Sequence, residues 1–283
     1  MKLLRYGAPG QERPGCLDSK GVLRDLSSVI ADITAETLAP GALDALRALD
    51  PDTLPAVSQP VRLGTPYAGT GKFIAVGLNY KAHAAETGAA PPAEPILFNK
   101  WCKPTGPNDA VMLPRGSAKT DWEVELGVVI GSRARYVSQE DALAHVAGYC
   151  IVNDVSEREY QLERGGTWDK GKGCDTFGPV GPWLVTADEI ADPQDLGMWL
   201  EVNGRRCQDS STSDMIFGVA HLVHYISQFT TLEPGDLIAT GTPQGVGMGQ
   251  KPPTFLKAGD RMRLGIDGLG EQSQEVVAWR ARD

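Results

Sequence analysis

Residues 120–130 read Thr-Asp-Trp-Glu-Val-Glu-Leu-Gly-Val-Val-Ile, and polar and apolar positions alternate along them. That period is the period of a β-strand. It puts Trp122, Val124, Leu126, Val128 and Ile130 on one face and Asp121, Glu123 and Glu125 on the other. Shorter apolar runs predict further strands at Lys2–Tyr6, 21–26, Phe73–Gly77, 95–100, 148–153, Gly197–Val202 and 236–240. Helical spacing is clearest over 214–229, where Ile216, Val219, Val223 and Ile226 repeat, leaving His221 and His224 as solvated flanks. Shorter helices are expected at 80–86, 142–147 and 156–163, the last with Ser156 as N-cap. Helix-like material over 34–49 is broken by Pro40, and the Gly-rich segment 165–173 interrupts regular structure.

Short strands, few long helices, 33 glycines and 20 prolines point to a β-rich α+β fold. The run from Pro51 to Pro66 carries four prolines and few apolar residues, so it reads as a linker. The expected organisation is a small N-terminal domain with its linker over 1–66 and a larger domain over 67–283.

Charge narrows the function. The net charge is −9, which disfavours non-specific nucleic-acid binding and docking on anionic membranes. The five cysteines are scattered and form no Cys-x-x-Cys pair, so reduced thiols are expected rather than a disulfide framework or zinc knuckle. The N-terminus has no signal-like apolar run, and no stretch nears the roughly 20 apolar residues of a membrane span. A cytoplasmic location is expected.

Candidate chemistry gathers in five places. Glu123 and Glu125 point the same way about 6–7 Å apart along a strand, where like charges repel unless water or a cation lies between them. Asp154, at the end of an apolar strand, would complete three oxygen ligands of an octahedron suited to Mg2+ or Mn2+; alone it could equally cap a helix. His83 and Glu86 are three residues apart on a helix, as a general base with its orienting carboxylate or as a surface ion pair. Lys172, flanked by glycines, could face a developing oxyanion or sit in a solvated loop. Thr240, the backbone amides after it and Thr242 form either a cradle for a small carboxylate or a tight turn.

The stretches GLNYKAHAAE, DWEVELGVVIG, NDVSERE, WDKGKGCDTFGP, NGRRCQDSSTSDMIF and LEPGDLIATGTPQGVG occur in this order over about residues 72–280. Together they resemble the fumarylacetoacetate hydrolase family. The opening MKLLRYGAPGQERPGCLD is similar to its bacterial branch of ureidoglycolate lyases and 2,4-diketo-3-deoxy-sugar-acid hydrolases.

The resemblance implies a mixed β-sandwich roll assembled as a homodimer or homotetramer. It implies Mg2+ or Mn2+ on Glu123, Glu125 and Asp154, a water-activating pair at His83 and Glu86, and an active-site lysine at Lys172, with Lys170 its near neighbour. Substrate contacts are implied at Thr240, Lys100, Arg158 and Gln244. The implied reaction is hydrolysis of the C3–C4 bond of a 2,4-diketo acid. The expected substrate is 2,4-diketo-3-deoxy-L-rhamnonate or -fuconate, giving pyruvate and L-lactate. Ureidoglycolate lysis, oxaloacetate decarboxylation and acylpyruvate hydrolysis use the same logic, and a non-catalytic metal-binding scaffold is the alternative of a different kind.

Overall fold

The computed structural model describes residues 1–58 and 60–281. In chain order the elements are β1 (Lys2–Tyr6), β2 (Arg13–Leu17), β3 (Leu23–Asp25), α1 (Pro40–Arg47), β4 (Phe73–Gly77), α2 (Lys81–Glu86), β5 (Ile96–Asn99), β6 (Val111–Met112), β7 (Thr120–Asp121) and β8 (Val124–Ile130). There follow β9 (Val146–Asn153), β10 (Ser156–Glu157), α3 (Arg158–Leu162), α4 (Asp169–Lys172), β11 (Val180–Thr186), β12 (Gly197–Val202), β13 (Arg205–Ser211), α5 (Val219–Ser227), β14 (Leu237–Ala239), β15 (Arg261–Ile266) and β16 (Gly270–Val277).

Nine strands form one mixed sheet in the order β3-β2-β1-β11-β9-β8-β14-β4-β5, with only β14 and β4 parallel. A second sheet runs β13-β12-β15-β16-β6. Between the two lies the main core, in which Leu126, Val128 and Ile130 meet Met198, Leu200, Met262 and Leu264. The other face of the large sheet packs a second cluster that includes Val129, Cys150, Leu184 and α1's Leu43 and Leu46. Every residue of β4, β8 and β9 is therefore buried, which is why β4 reads as an unbroken apolar run. The expected sheet-rich α+β sandwich is what the chain forms.

Several local expectations change. The strand over 120–130 is interrupted at Trp122 and Glu123, and its first two residues pair with β10 instead. Pro40 starts α1 rather than breaking it, because its missing N–H falls at the first helical position, where no intrahelical acceptor is available. The helix expected over 214–229 is only α5; the Ile216 amide is taken by the Asn79 carbonyl at 2.7 Å and cannot join a helical ladder. Ser156 is not a cap: its hydroxyl donates to the Asp154 carbonyl, and Glu157 caps α3. The glycine-rich segment contains α4, which carries Lys172. Strand β2, unheralded because it contains Pro14 and Gly15, pairs with β1. Strand β1 in turn pairs with β11, so segment 1–66 shares both a sheet and the second core cluster with the rest of the chain.

Candidate active site

Strand β4 ends at Gly77, and Leu78 takes a left-handed backbone (φ +53°) before α2 begins. Asn79 ties this turn to two distant loops. Its side chain accepts from the Phe217 amide and donates to the carbonyls of Phe217 and Thr240. The following helix buries His83, with Nδ1 3.2 Å from Glu86 Oε2. The other Glu86 oxygen accepts the Gly245 amide at 2.9 Å. A Cβ on Gly249 would lie 2.2 Å from the Glu86 carboxyl carbon, so only glycine allows that approach. The expected His–Glu pair is formed and held on both sides.

Glu123 and Glu125 meet Asp154, which follows β9 and donates its amide to the Glu123 carbonyl at 2.9 Å. One carboxylate oxygen of each lies within 4.8 Å of the others, and all three residues are buried. Asp121, on the same side in the sequence pattern, is turned away by the strand break and is not in this triad.

Three buried cations surround the acids. Lys172 Nζ donates to Glu123 Oε2 (2.6 Å) and Asp154 Oδ2 (2.9 Å). Lys100 donates to Asp154 Oδ1 and to the Lys172 carbonyl. Arg158 pairs with Asp121 at 2.8 Å and Glu123 at 2.7 Å.

The cluster thus holds four carboxylates and three cations, and the unmatched charge falls on Glu125. Among the described residues its one hydrogen-bond donor is the Gly241 amide, at 2.8 Å. Burial, then the neighbouring Asp154 and Glu123, push the Glu125 carboxyl well above the usual carboxylate range. Burial acts in the same direction on Glu123, but Lys172 and Arg158 outweigh it and hold that carboxyl low. Burial works against the charge of Lys172, yet Asp154 and Glu123 keep its pKa raised. A buried oxygen triad carrying one negative charge too many fits a hard divalent cation. Glu123, Glu125 and Asp154 are the residues that could hold it.

Glu123, Glu125, Arg158 and Lys172 line a cavity of about 340 Å³ with His83, Gln161, Thr242 and a wall formed by Val76, Leu78, Phe98, Leu162, Trp168 and Met248; Asp154 sits behind this lining. His83, Glu123, Glu125, Arg158 and Lys172 reach it together, whereas other expected site residues do not line it. Lys100 stands behind Asp154 with its side chain fully buried. Thr240 spends its hydroxyl on the Leu126 carbonyl, and its expected cradle amide, that of Gly241, is bound to Glu125. Gln244 lies outside the lining, its amide reaching the Asp209 carbonyl at 3.4 Å. Lys170 points to the carbonyls of Arg164 and Gly165. Sequence reasoning missed Gln161, Trp168 and Met248. Gln161 was findable, being one helical turn beyond Arg158 and bonded to its Nη1 at 3.0 Å; the two apolar side chains carry no such signal.

Comparison with known proteins gives a consistent result. The family model described as fumarylacetoacetate (FAA) hydrolase C-terminal matches residues 72–277. A Burkholderia cenocepacia protein provisionally named a hydrolase is 60% identical over 278 residues, 98% of this chain and 99% of that one. The solved fumarylacetoacetate hydrolase of Exiguobacterium antarcticum is 35% identical, with a TM-score of 0.86 over 99% of this chain and 100% of that chain. The maleylpyruvate hydrolase of Sphingobium sp. SYK-6, solved with manganese(II) and pyruvate, is 30% identical, with a TM-score of 0.79 over the same shares.

Proposed function

The chain belongs to the fumarylacetoacetate hydrolase family, and from that premise we propose that it is a divalent-metal-dependent hydrolase cleaving the C3–C4 bond of a 2,4-dioxo acid to release pyruvate. The observation that carries the reading is the uncompensated Glu125 in one cavity with His83, whose ring is paired with Glu86. The Sphingobium relative, solved with manganese(II) and pyruvate, supports the same chemistry.

Mg2+ or Mn2+ on Glu123, Glu125 and Asp154 would supply charge stabilisation at the 2-oxo end of the substrate. The chain's own groups do the rest. Arg158 offers a guanidinium to the carboxylate end. Glu86 fixes one ring nitrogen of His83, leaving the other to take a proton from the water that attacks C4. The Lys172 ammonium stands where negative charge develops, and the apolar wall keeps bulk water from the reacting centre.

The wall also bears on the substrate tail. Beyond the charged groups the cavity offers mostly Val76, Leu78, Phe98, Trp168 and Met248. Hydroxyl groups set against that wall, away from Gln161 and Thr242, would lack partners, at a cost of about 1–3 kcal/mol each. This supports an acylpyruvate with an apolar or unsaturated tail ahead of 2,4-diketo-3-deoxy-L-rhamnonate or -fuconate.

The test is proton NMR of the protein with acetylpyruvate, 2,4-diketo-3-deoxy-L-rhamnonate and oxaloacetate, with Mg2+ and then with EDTA. Metal-dependent pyruvate from acetylpyruvate is expected. Folded, metal-loaded protein that yields no pyruvate from either diketo acid would reject the reading, and turnover of oxaloacetate alone would favour decarboxylation.

A further inference from the structure

Asp121 is fully buried, lies next to the metal triad without belonging to it, and has no part in the reaction derived above. Its two oxygens nevertheless accept four hydrogen bonds. Oδ1 takes the amides of Trp122 (2.9 Å) and Gly247 (2.6 Å). Oδ2 takes the Met248 amide (3.0 Å) and Arg158 Nε (2.8 Å). Two of its partners, Arg158 and Met248, line the cavity.

Arg158 also faces Glu123, so its head group lies between two carboxylates. Nη2 is 2.7 Å from Glu123, a candidate metal ligand, and Nη1 is held by Gln161 at 3.0 Å, so Asp121 is the one carboxylate that draws the group away from Glu123. The loop at Gly247 comes so close that a Cβ there would lie 2.6 Å from Asp121 Oδ1 and 2.0 Å from the Thr254 carbonyl oxygen.

We propose that Asp121 is a positioning residue that holds Arg158 by its Nε, leaving the guanidinium poised for the substrate carboxylate, and fixes the Met248 wall through the same oxygen. The proposal rests on the reading of Arg158 as the carboxylate-binding group. Asp121 does not touch substrate; it sets substrate affinity through Arg158.

An Asp121→Asn substitution separates the two halves of the contact. The Asn oxygen, placed at Oδ1, keeps the amides of Trp122 and Gly247, while its NH2 group faces Arg158 Nε donor to donor. The experiment uses the full-length, Mn2+-loaded protein, with pyruvate as the probe in calorimetry and the 2,4-dioxo acid in steady-state kinetics. Asp121→Asn should weaken pyruvate binding and raise KM by about ten-fold or more, with a much smaller change in kcat. Added to Arg158→Lys, it should cost little further, because the two act as one unit.

A wild-type Kd and KM in Asp121→Asn would overturn the proposal, as would a fall in thermal stability and kcat with KM unmoved. Equal losses in the wild-type and Arg158→Lys backgrounds would overturn it too; should the double variant not fold, the KM-against-kcat split of the single variant decides. Wild-type protein that binds pyruvate but cleaves no 2,4-dioxo acid would sink the hydrolase reading and leave the pyruvate comparison decisive. Wild-type protein that does not bind pyruvate would sink both.

Discussion

The two faces of β8 are equally dry and are stabilised by opposite means. On one, Val124, Leu126, Val128 and Ile130 are at most 1% exposed and pack into the main core. On the other, Val129 packs into the second core cluster, while at the start of the strand Glu125 is 1% exposed and neighbouring Glu123 3%. The apolar face is complete in itself, because removal of its surface from water is what stabilises it. The acidic face is not complete. Its charges must find partners in the interior, and three cations for four carboxylates leave one wanting. A strand can be structural on one side and poised for chemistry on the other without any difference in burial.

The comparison breaks most visibly at Glu125. If Glu125 is the metal donor proposed above, Glu125→Gln removes its charge and several kcal/mol of charge stabilisation, so turnover should fall about 10³-fold while the protein stays folded; circular dichroism beside the pyruvate assay checks both. Leu126→Ala on the opposite face should do the reverse. It should cost about 2–5 kcal/mol in urea unfolding and leave Mn2+ affinity unchanged; a loss of metal binding on that scale would mean the faces are not separable.

Acidity sharpens the contrast. In metal-free protein the Glu125 carboxyl is raised above its unfolded value, so the native state holds this proton more tightly than the unfolded chain does. Its contribution to stability is fully present below about pH 4 and is lost as pH rises toward the folded value. Compared in EDTA, Glu125→Gln should therefore gain on the wild type in melting temperature from pH 5 to pH 8. A difference that does not vary with pH would show that Glu125 is matched after all. The smallest effect is expected at Gln244, outside the cavity lining: Gln244→Ala should shift binding by less than about 0.5 kcal/mol, and KM by about two-fold at most.

Much of this was legible in the residue order. The alternation around Glu123 and Glu125 foretold both faces of β8, and the spacing of His83 and Glu86 foretold a pair that does form. Boundaries were less legible. Ile216 fits a helical stripe, but its amide is claimed by Asn79, a residue 137 positions earlier. Thr240 fits a carboxylate cradle, but its hydroxyl and the next amide serve β8. In each case a long-range hydrogen bond outweighs a local pattern.

What the sequence determined by itself is the set of elements and the chemistry each carries: buried strands, an acid-bearing face, a helix with its base, and a lysine between glycines. These follow from periodicity and residue type, which act over a few residues. What only the tertiary structure decided is which charge meets which. Lys100 comes from the end of β5, Arg158 from α3 and Lys172 from α4, and their convergence settles that Asp121, Glu123 and Asp154 are matched and Glu125 is not. The electrostatic energy of a buried carboxylate depends on what lies within a few ångströms of it in space, and distance along the chain does not encode that.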